Sequence, residues 1–339
     1  MGMRRSGGTE FATQRALQAY LRKHPDADVS KHSVAQKAPK QTAQDASKRE
    51  GKHGTATVRT REQLLADLPK NPKTGRQSYM GVDASTIHSV KEFPQSKSLT
   101  AVVSYTNNKG RKVDKYFYNE AHQQHAADRK FKRVEQMQKH YGTIQDSITN
   151  DMKASDPKRR AAATVMRLVD DTTMRIGGSG AEKFTGSVGA TTMRREHVKE
   201  NPDGSIQFTF PGKSGVAWDR KVSDPKLVAA VKTFMKDKSP SEKLFPVRAD
   251  DVNKYLADVS PVKVTAKDYR TLHASAIASA ALASMPKPKN ADELKKNITQ
   301  ASVIASEKLG NTPSVCLKKY INPRVIDAYR AAHTGKEAA

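Results

Sequence analysis

Hydrophobic positions are thinly spread at the start of the chain and fall into regular patterns only after about residue 75. Across residues 1–75 the only aromatic side chains are Phe11 and Tyr20. Such a stretch buries too little apolar surface to offset the entropy of an ordered chain, so it is predicted as a disordered arm, with a short helix allowed from Thr13 to Lys23. From Tyr79 to about Tyr118 the pattern becomes an alternation. Ala101 to Thr106 reads as a strand, Asn107-Asn108-Lys109-Gly110 as a turn, and Val113 to Tyr118 as the returning strand. A heavily charged helix is predicted next, from about Ala121 to Gly142.

Beyond that point helical spacing dominates. Val165, Leu168, Val169 and Ile176 line one face of a helix from Lys158 to Ile176, and Gly177-Gly178 supply its stop. Ser205–Phe210 and Val216–Val222 flank Pro211-Gly212-Lys213-Ser214-Gly215 and read as a hairpin. Further helices are predicted to begin at Asp224-Pro225, near Asp250, at Thr265 and at Asp292. Gly310 ends the last of these, and Thr312-Pro313 supplies a cap and a first-turn proline for another. The fold class is therefore α+β: a small N-terminal β-rich domain, then a mainly α-helical domain containing a β-hairpin. The expected boundaries are a basic disordered arm over 1–75, the β-rich domain over 76–142, the helical domain over 143–332 and a tail over 333–339.

Charge narrows what such a chain can bind. Lys and Arg number 60 against 35 Asp and Glu, a formal excess of +25. The first 60 residues hold 12 of these cations against 5 acidic residues. An excess of this size repels itself in a compact fold unless a polyanion shares the surface. Duplex DNA is the leading candidate because neutralising its phosphates releases condensed counterions, while RNA and anionic membrane are also compatible with the charge. No run reaches the ~18 apolar residues of a spanning helix. Cys316 is the only cysteine, which rules out an intrachain disulfide and argues against a cysteine metal site. Arg4 and Arg5 are followed by no apolar segment, so a secretory signal is not expected. These features suit a reducing, cytoplasmic, DNA-associated setting.

Some of the charged and aromatic residues could carry chemistry on a phosphodiester. Transesterification needs an in-line nucleophile, cations to absorb charge on the phosphorane, and an acid for the departing oxygen. Arginines can supply the charge through forked donors that stay protonated. Arg175 lies at a predicted helix end beside two glycines, and Lys213 lies at the tip of the hairpin. Arg270 follows Lys267 by three residues on one helix face. Tyr320 lies on a short helix among Lys318, Lys319 and Arg324, which would favour negative charge on its oxygen. Each has an ordinary reading as well: helix-end pairing for Arg175, a solvated turn for Lys213, packing for Tyr320. Spacing alone does not assemble them into one site.

The local sequences do more. Met174-Arg175-Ile176-Gly177-Gly178 is followed by Gly189-Ala190-Thr191-Thr192-Met193-Arg194-Arg195-Glu196-His197-Val198 and then by Phe210-Pro211-Gly212-Lys213-Ser214-Gly215. Lys267-Asp268-Tyr269-Arg270-Thr271-Leu272-His273-Ala274 comes next, and Leu309-Gly310-Asn311-Thr312-Pro313-Ser314-Val315-Cys316 leads to Tyr320. In this order the blocks resemble the catalytic domain of type IB DNA topoisomerases, in their compact bacterial and poxvirus-like form, over about residues 76–330.

The resemblance implies that Tyr320 is the nucleophile of a 3′-phosphotyrosyl intermediate and that Arg175 and Arg270 clamp the nonbridging oxygens. Lys213 is implied as general acid, Lys267 as an aid to proton transfer, and religation by the 5′-hydroxyl as the reverse step. Neither ATP, a metal nor another cofactor is called for, and supercoils of both signs should relax. Double-stranded DNA is the implied partner of a monomer, with no membrane role. Poxvirus and eukaryotic members carry histidine where this chain has Asn311, whose amide can donate a hydrogen bond but carries no charge. Capping the following helix is the other reading of Asn311.

Lys115, Tyr116 and Tyr118 on the N-terminal sheet, Arg194 and Arg195, and Lys318 and Lys319 are the expected DNA contacts. Core packing is an equal reading for the two tyrosines, and Trp218 reads as a packing residue. A tyrosine recombinase is the nearest alternative, although recombinases place histidine where Lys267 stands. A non-catalytic architectural DNA-binding protein is the other.

Overall fold

The computed structural model describes residues 9–11, 32–34, 53–72, 74–108 and 110–334. The chain divides into two compact units, Met1–Gln124 and His125–Ala339. The helix allowed over Thr13–Lys23 and the tail from residue 335 lie outside the described residues.

In the first unit a three-residue pair, β1 (Thr9–Phe11) and β2 (His32–Val34), runs parallel. The main sheet has the order β3 (Thr57–Thr60), β6 (Ile87–Glu92), β7 (Leu99–Thr106) and β8 (Lys112–Tyr118), all antiparallel. A two-residue hairpin of β4 (Ser78–Tyr79) and β5 (Val82–Asp83) precedes β6. Alternation along β7 sends Ala101 and Val103 into one cluster with Leu64, Val82, Ile87 and Val90. Val102 goes to the opposite face with Phe93 and Leu99.

The sequence reading is corrected at the start of this unit. Thr57–Thr60 is a ladder strand, and α1 (Arg61–Asp67) follows it. Thr60 caps that helix reciprocally with Gln63, and Leu64 is 1% exposed. The segment 57–67 is therefore part of the sheet domain, not of a disordered arm. One short capped helix with one buried leucine was too small a signal beside the polar composition.

The second unit begins within α2 (Glu120–Lys139), whose Phe131, Val134 and Met137 are buried. This places the division earlier than the expected 142, because Met137 already joins the large core of the helical unit. That core continues through α3 (Tyr141–Asp151) and α4 (Pro157–Thr172), then takes in the sheet of β9 (Val198–Glu200), β10 (Ile206–Pro211) and β11 (Ala217–Val222). A short helix, α5 (Ser179–Thr185), lies between α4 and β9. The core is completed by α6 (Pro225–Met235), α7 (Ala249–Val259) and the first turn of α8 (Ala266–Ser284).

A second cluster joins the rest of α8 to α9 (Ala291–Leu309), α10 (Pro313–Lys319) and α11 (Pro323–Thr334). Small residues fill the contact between α8 and α9: Ala274, Ala278 and Ala281 share one buried cluster with Ala301 and Ala305. Among the described residues no helix is long and apolar enough to cross a membrane.

Caps explain where several helices begin. Asp156 and Asp224 each accept backbone N–H bonds in front of a first-turn proline, and Thr312 does the same before Pro313. One stop differs from the sequence reading. Helix α4 ends at Thr173, which takes a left-handed φ of 57°, and not at Gly177-Gly178. Arg175 thus lies in the chain that leaves the helix and not in its last turn.

Candidate active site

Helix α9 ends on Gly310, and a helix end leaves carbonyls without intrahelical partners. Here four consecutive carbonyls accept bonds from four different side chains. Arg220 reaches the Glu307 oxygen at 2.8 Å, the Thr173 hydroxyl the Lys308 oxygen at 2.7 Å, and Arg270 the Leu309 oxygen at 2.8 Å. Arg175 approaches the Gly310 oxygen at 3.5 Å, the weakest of the set. The negative end of the helix dipole favours these cations, and it draws Arg175 and Arg270 to one place although 95 residues separate them in the chain.

Arg270 is 2% exposed and also donates to the Thr173 carbonyl, so it ties the end of α4 to the end of α9. Burial, and next the neighbouring Arg175, push its pKa down to about 10. Two guanidiniums so close inside a fold call for an anion. Arg270 lies 5.3 Å from the centre of the Tyr320 ring. Tyr320 is the residue that closes α10, half-buried against the cluster of α8, α9 and α11. Its carbonyl accepts from Ser275 at 3.4 Å, and the same hydroxyl receives the Asn322 N–H at 2.9 Å.

Asn311 follows Gly310 directly. Its side-chain amide nitrogen and oxygen are both buried and have no hydrogen-bond partner among the described residues. The cap of α10 is Thr312, which accepts from Val315 N–H. The capping reading of Asn311 is therefore overturned: its side-chain amide bonds to nothing among the described residues, a costly state for a buried group. The buried Arg270 Nε has no partner among the described residues either.

The glycine block after Arg175 has a structural task. Ala190 N–H and Thr191 N–H donate to the Arg175 and Ile176 carbonyls at 2.9 and 2.8 Å. A Cβ on Gly189 would lie 2.5 Å from the Gly177 nitrogen. Only glycine allows the segment from Gly189 to Thr192 to lie against the chain carrying Arg175.

Lys213 is exposed in the turn between β10 and β11, where Ser214 has a φ of 63°. The turn is anchored through Trp218, which is 2% exposed and stacked on Phe210. Its indole fills the space where a Cβ of Gly212 would stand, and the same ring would lie 3.1 Å from a Cβ at Gly310. Trp218 so links the Lys213 turn to the Gly310–Asn311 corner. It was read from sequence as a packing residue, and no local pattern signalled this bridging position.

Lys267 is exposed although Arg270, one turn on, is buried, so the two do not share an environment. Lys267 lies instead near Lys130, whose pKa is pushed down by burial first and then by Lys267 and Lys319. Of the expected DNA contacts, Lys318 and Lys319 are exposed in the last turn of α10. Arg194 is held by Glu182 and the Ser241 carbonyl, both at 2.8 Å, and Arg195 donates to the Val198 carbonyl at 2.7 Å. In the N-terminal unit Tyr116 and Tyr118 pack on the Phe93–Leu99–Val102 cluster, and Tyr118 stacks on His122. Lys115 lies over the Phe117 ring at 4.7 Å. His273 pairs with the buried Asp170 at 2.6 Å, and Tyr141 donates to the same carboxylate at 2.7 Å. Tyr329 is engaged by Asn297 and by the ring of His333.

Comparison with known proteins gives this arrangement its context. Residues 119–338 match the family model described as the catalytic core of eukaryotic DNA topoisomerase I. DNA topoisomerase 1B of Acanthamoeba polyphaga mimivirus is 30% identical over 241 residues, covering 66% of this chain and 71% of the viral protein. DNA topoisomerase 1 of mouse and of human are each 28% identical over 198 residues, 56% of this chain. The chain spans 26% of the length of those mammalian relatives. The family match covers every residue gathered around the end of α9, and by it the chain belongs to the DNA topoisomerase I family, as a type IB enzyme of the compact, virus-like form.

Proposed function

We propose that this chain relaxes supercoiled duplex DNA by cutting one strand through Tyr320 and resealing it. The Tyr320 oxygen attacks phosphorus, forming a 3′-phosphotyrosyl bond as the bond to the 5′-oxygen breaks. Arg175 and Arg270 hold the nonbridging oxygens and take up the charge that builds on them. Asn311 donates its unpaired amide N–H to the same group. Lys213, on the turn anchored by Trp218, gives a proton to the departing 5′-oxygen, and Lys267 assists that transfer. Attack by the resulting 5′-hydroxyl reverses each step. The phosphotyrosine conserves the bond energy, so the cycle needs no ATP, and one protomer suffices because the duplex rotates about its intact strand. Lys115, Tyr116, Tyr118, Arg194, Arg195, Lys318 and Lys319 are the proposed backbone contacts. Lys318 and Lys319 are the best placed of them, since the two arginines already serve protein acceptors.

The observation that carries this reading is Arg270 beside the Tyr320 ring with Arg175 as its neighbour, and the buried Asn311 amide following directly on the Gly310 carbonyl that Arg175 approaches. Relaxation of supercoiled plasmid in EDTA without ATP tests it, together with mapping of the DNA-linked tyrosine by mass spectrometry. Topoisomers and an adduct on Tyr320 are expected. A Tyr320→Phe chain that still relaxes plasmid would move the nucleophile elsewhere, and recombined products would favour a recombinase.

A further inference from the structure

The segment around Tyr320 is held from both sides by one helix, through a main-chain carbonyl before the tyrosine and through side chains after it. From α2, the Lys130 ammonium donates to the Lys319 carbonyl at 2.7 Å, one residue before the tyrosine. Glu135, on the same helix, accepts from the Asn322 amide at 3.1 Å and pairs with Arg324 at 3.0 Å. Between these two, Arg133 makes a forked pair with Asp268 at 2.7 and 2.9 Å. Asp268 is 1% exposed and also caps α8 through Thr265, so the pair fixes the first turn of the helix that carries Arg270. Helix α2 thus grips the segment bearing the tyrosine and the helix bearing its arginine.

We propose that Lys130 and Glu135 are positioning residues for the nucleophile, setting the place of the Tyr320 oxygen by clamping the chain at Lys319 and at Asn322–Arg324. Neither reaches the reacting atoms. The inference rests on the assignment of Tyr320 given above.

The surroundings of Lys130 argue that its placement has a purpose. Lys267 of α8, Lys319 of α10 and Arg133 of its own helix all repel it, while Asp268 attracts it. Its ammonium also sits over the Phe131 ring at 3.8 Å. Burial first, then Lys267 and Lys319, push its pKa down to about 8. A lysine with no task would turn its flexible stem to solvent. This one stays in a cationic corner, where a carbonyl and a ring face receive it. Geometry matters here because a misplacement of about 1 Å at a reacting group can cost roughly 10²-fold in rate.

Single-turnover adduct formation by the full chain on a suicide duplex provides the test. Lys130→Met keeps the length of the stem and removes the donor. It is expected to slow the adduct by about 10- to 100-fold, while noncovalent binding of the same duplex, measured in the Tyr320→Phe background, is unchanged. Lys130→Arg, which still reaches the carbonyl, should recover most of the rate. Sulfur in place of the bridging 5′-oxygen, a leaving group that needs no acid, should not rescue Lys130→Met. Glu135→Gln releases Arg324 and should slow the adduct as well, and it decides the matter if Lys130→Met does not fold.

Three results would each overturn the inference: a wild-type rate in the folded variants, rescue by sulfur, or a loss of equilibrium binding that accounts for the defect. The second would make Lys130 an acid, and the third a DNA contact. An adduct formed by Tyr320→Phe would instead sink the nucleophile assignment. Lack of that adduct alongside a normal Lys130→Met would sink the clamp alone.

Discussion

The Arg270 guanidinium lies 5.3 Å from the Tyr320 ring centre while its nitrogens bind the Thr173 and Leu309 carbonyls. The residue that faces the proposed nucleophile is therefore also a strut between α4 and α9. Arg270→Ala should slow adduct formation by at least ~10²-fold, the scale for one lost transition-state donor. It should also cost stability, on the order of 1–3 kcal/mol for each carbonyl left buried and unpaired. Arg175→Ala should show the kinetic loss with little change in the urea midpoint, because its protein bond is long at 3.5 Å. Equal destabilisation by both would contradict this division of roles.

Asn311 supports a prediction of opposite sign for rate and stability. Its buried side-chain amide has no partner among the described residues, so removing it relieves an unsatisfied polar group. Asn311→Ala should leave the unfolding midpoint unchanged or higher while slowing single-turnover cleavage. A cap would show the reverse, with stability lost and the rate kept.

The Trp218 bridge can be tested from the turn. A methyl group on Gly212 runs into the indole, so Gly212→Ala must shift either the turn or Trp218. Tryptophan fluorescence should change, Trp218 being the only one in the chain. Cleavage should slow more on an ordinary 5′-oxygen substrate than on its sulfur analogue, since the displaced group is Lys213. An equal slowing on both would place the damage elsewhere in the site.

Lys130 makes stability depend on pH in a defined window. Its pKa of about 8 in the fold lies below the ordinary 10.5. Between those values the unfolded chain holds more protons, so stability rises with pH through the window and Lys130 contributes no slope below it. The stability of Lys130→Met relative to wild type should accordingly fall as pH goes from about 8 to 10.5. Urea unfolding at fixed ionic strength across that range reads it directly. Parallel curves for the two chains would show that Lys130 titrates normally.

Much of the local structure was legible from the chain. The β7–β8 hairpin, the β10–β11 hairpin and the helix starts at Asp224, Thr265 and Thr312 agree with the reading from turn and cap residues. These signals are short-range, since a cap or a turn is satisfied by residues two to four positions away. Two readings were off where the deciding contact is distant. Arg59 and Leu64 look like part of a polar arm until β6 is placed beside them. Gly177 looks like a helix stop until Gly189 is brought against it.

By itself the sequence determined the order of elements, the cationic character and the ordered blocks that resemble one family, because those depend on residue type and near neighbours. Tertiary structure alone decided that the carbonyls of residues 307–310 would collect Arg220, Thr173, Arg270 and Arg175. It also decided that the Asn311 side-chain amide would be buried without a partner among the described residues, and that α2 would grip the chain on either side of Tyr320. The carbonyl cluster and the grip of α2 join segments far apart in the chain through a helix end or a carboxylate that must find donors. Which donors arrive depends on how the helices pack, and no spacing along the chain encodes it.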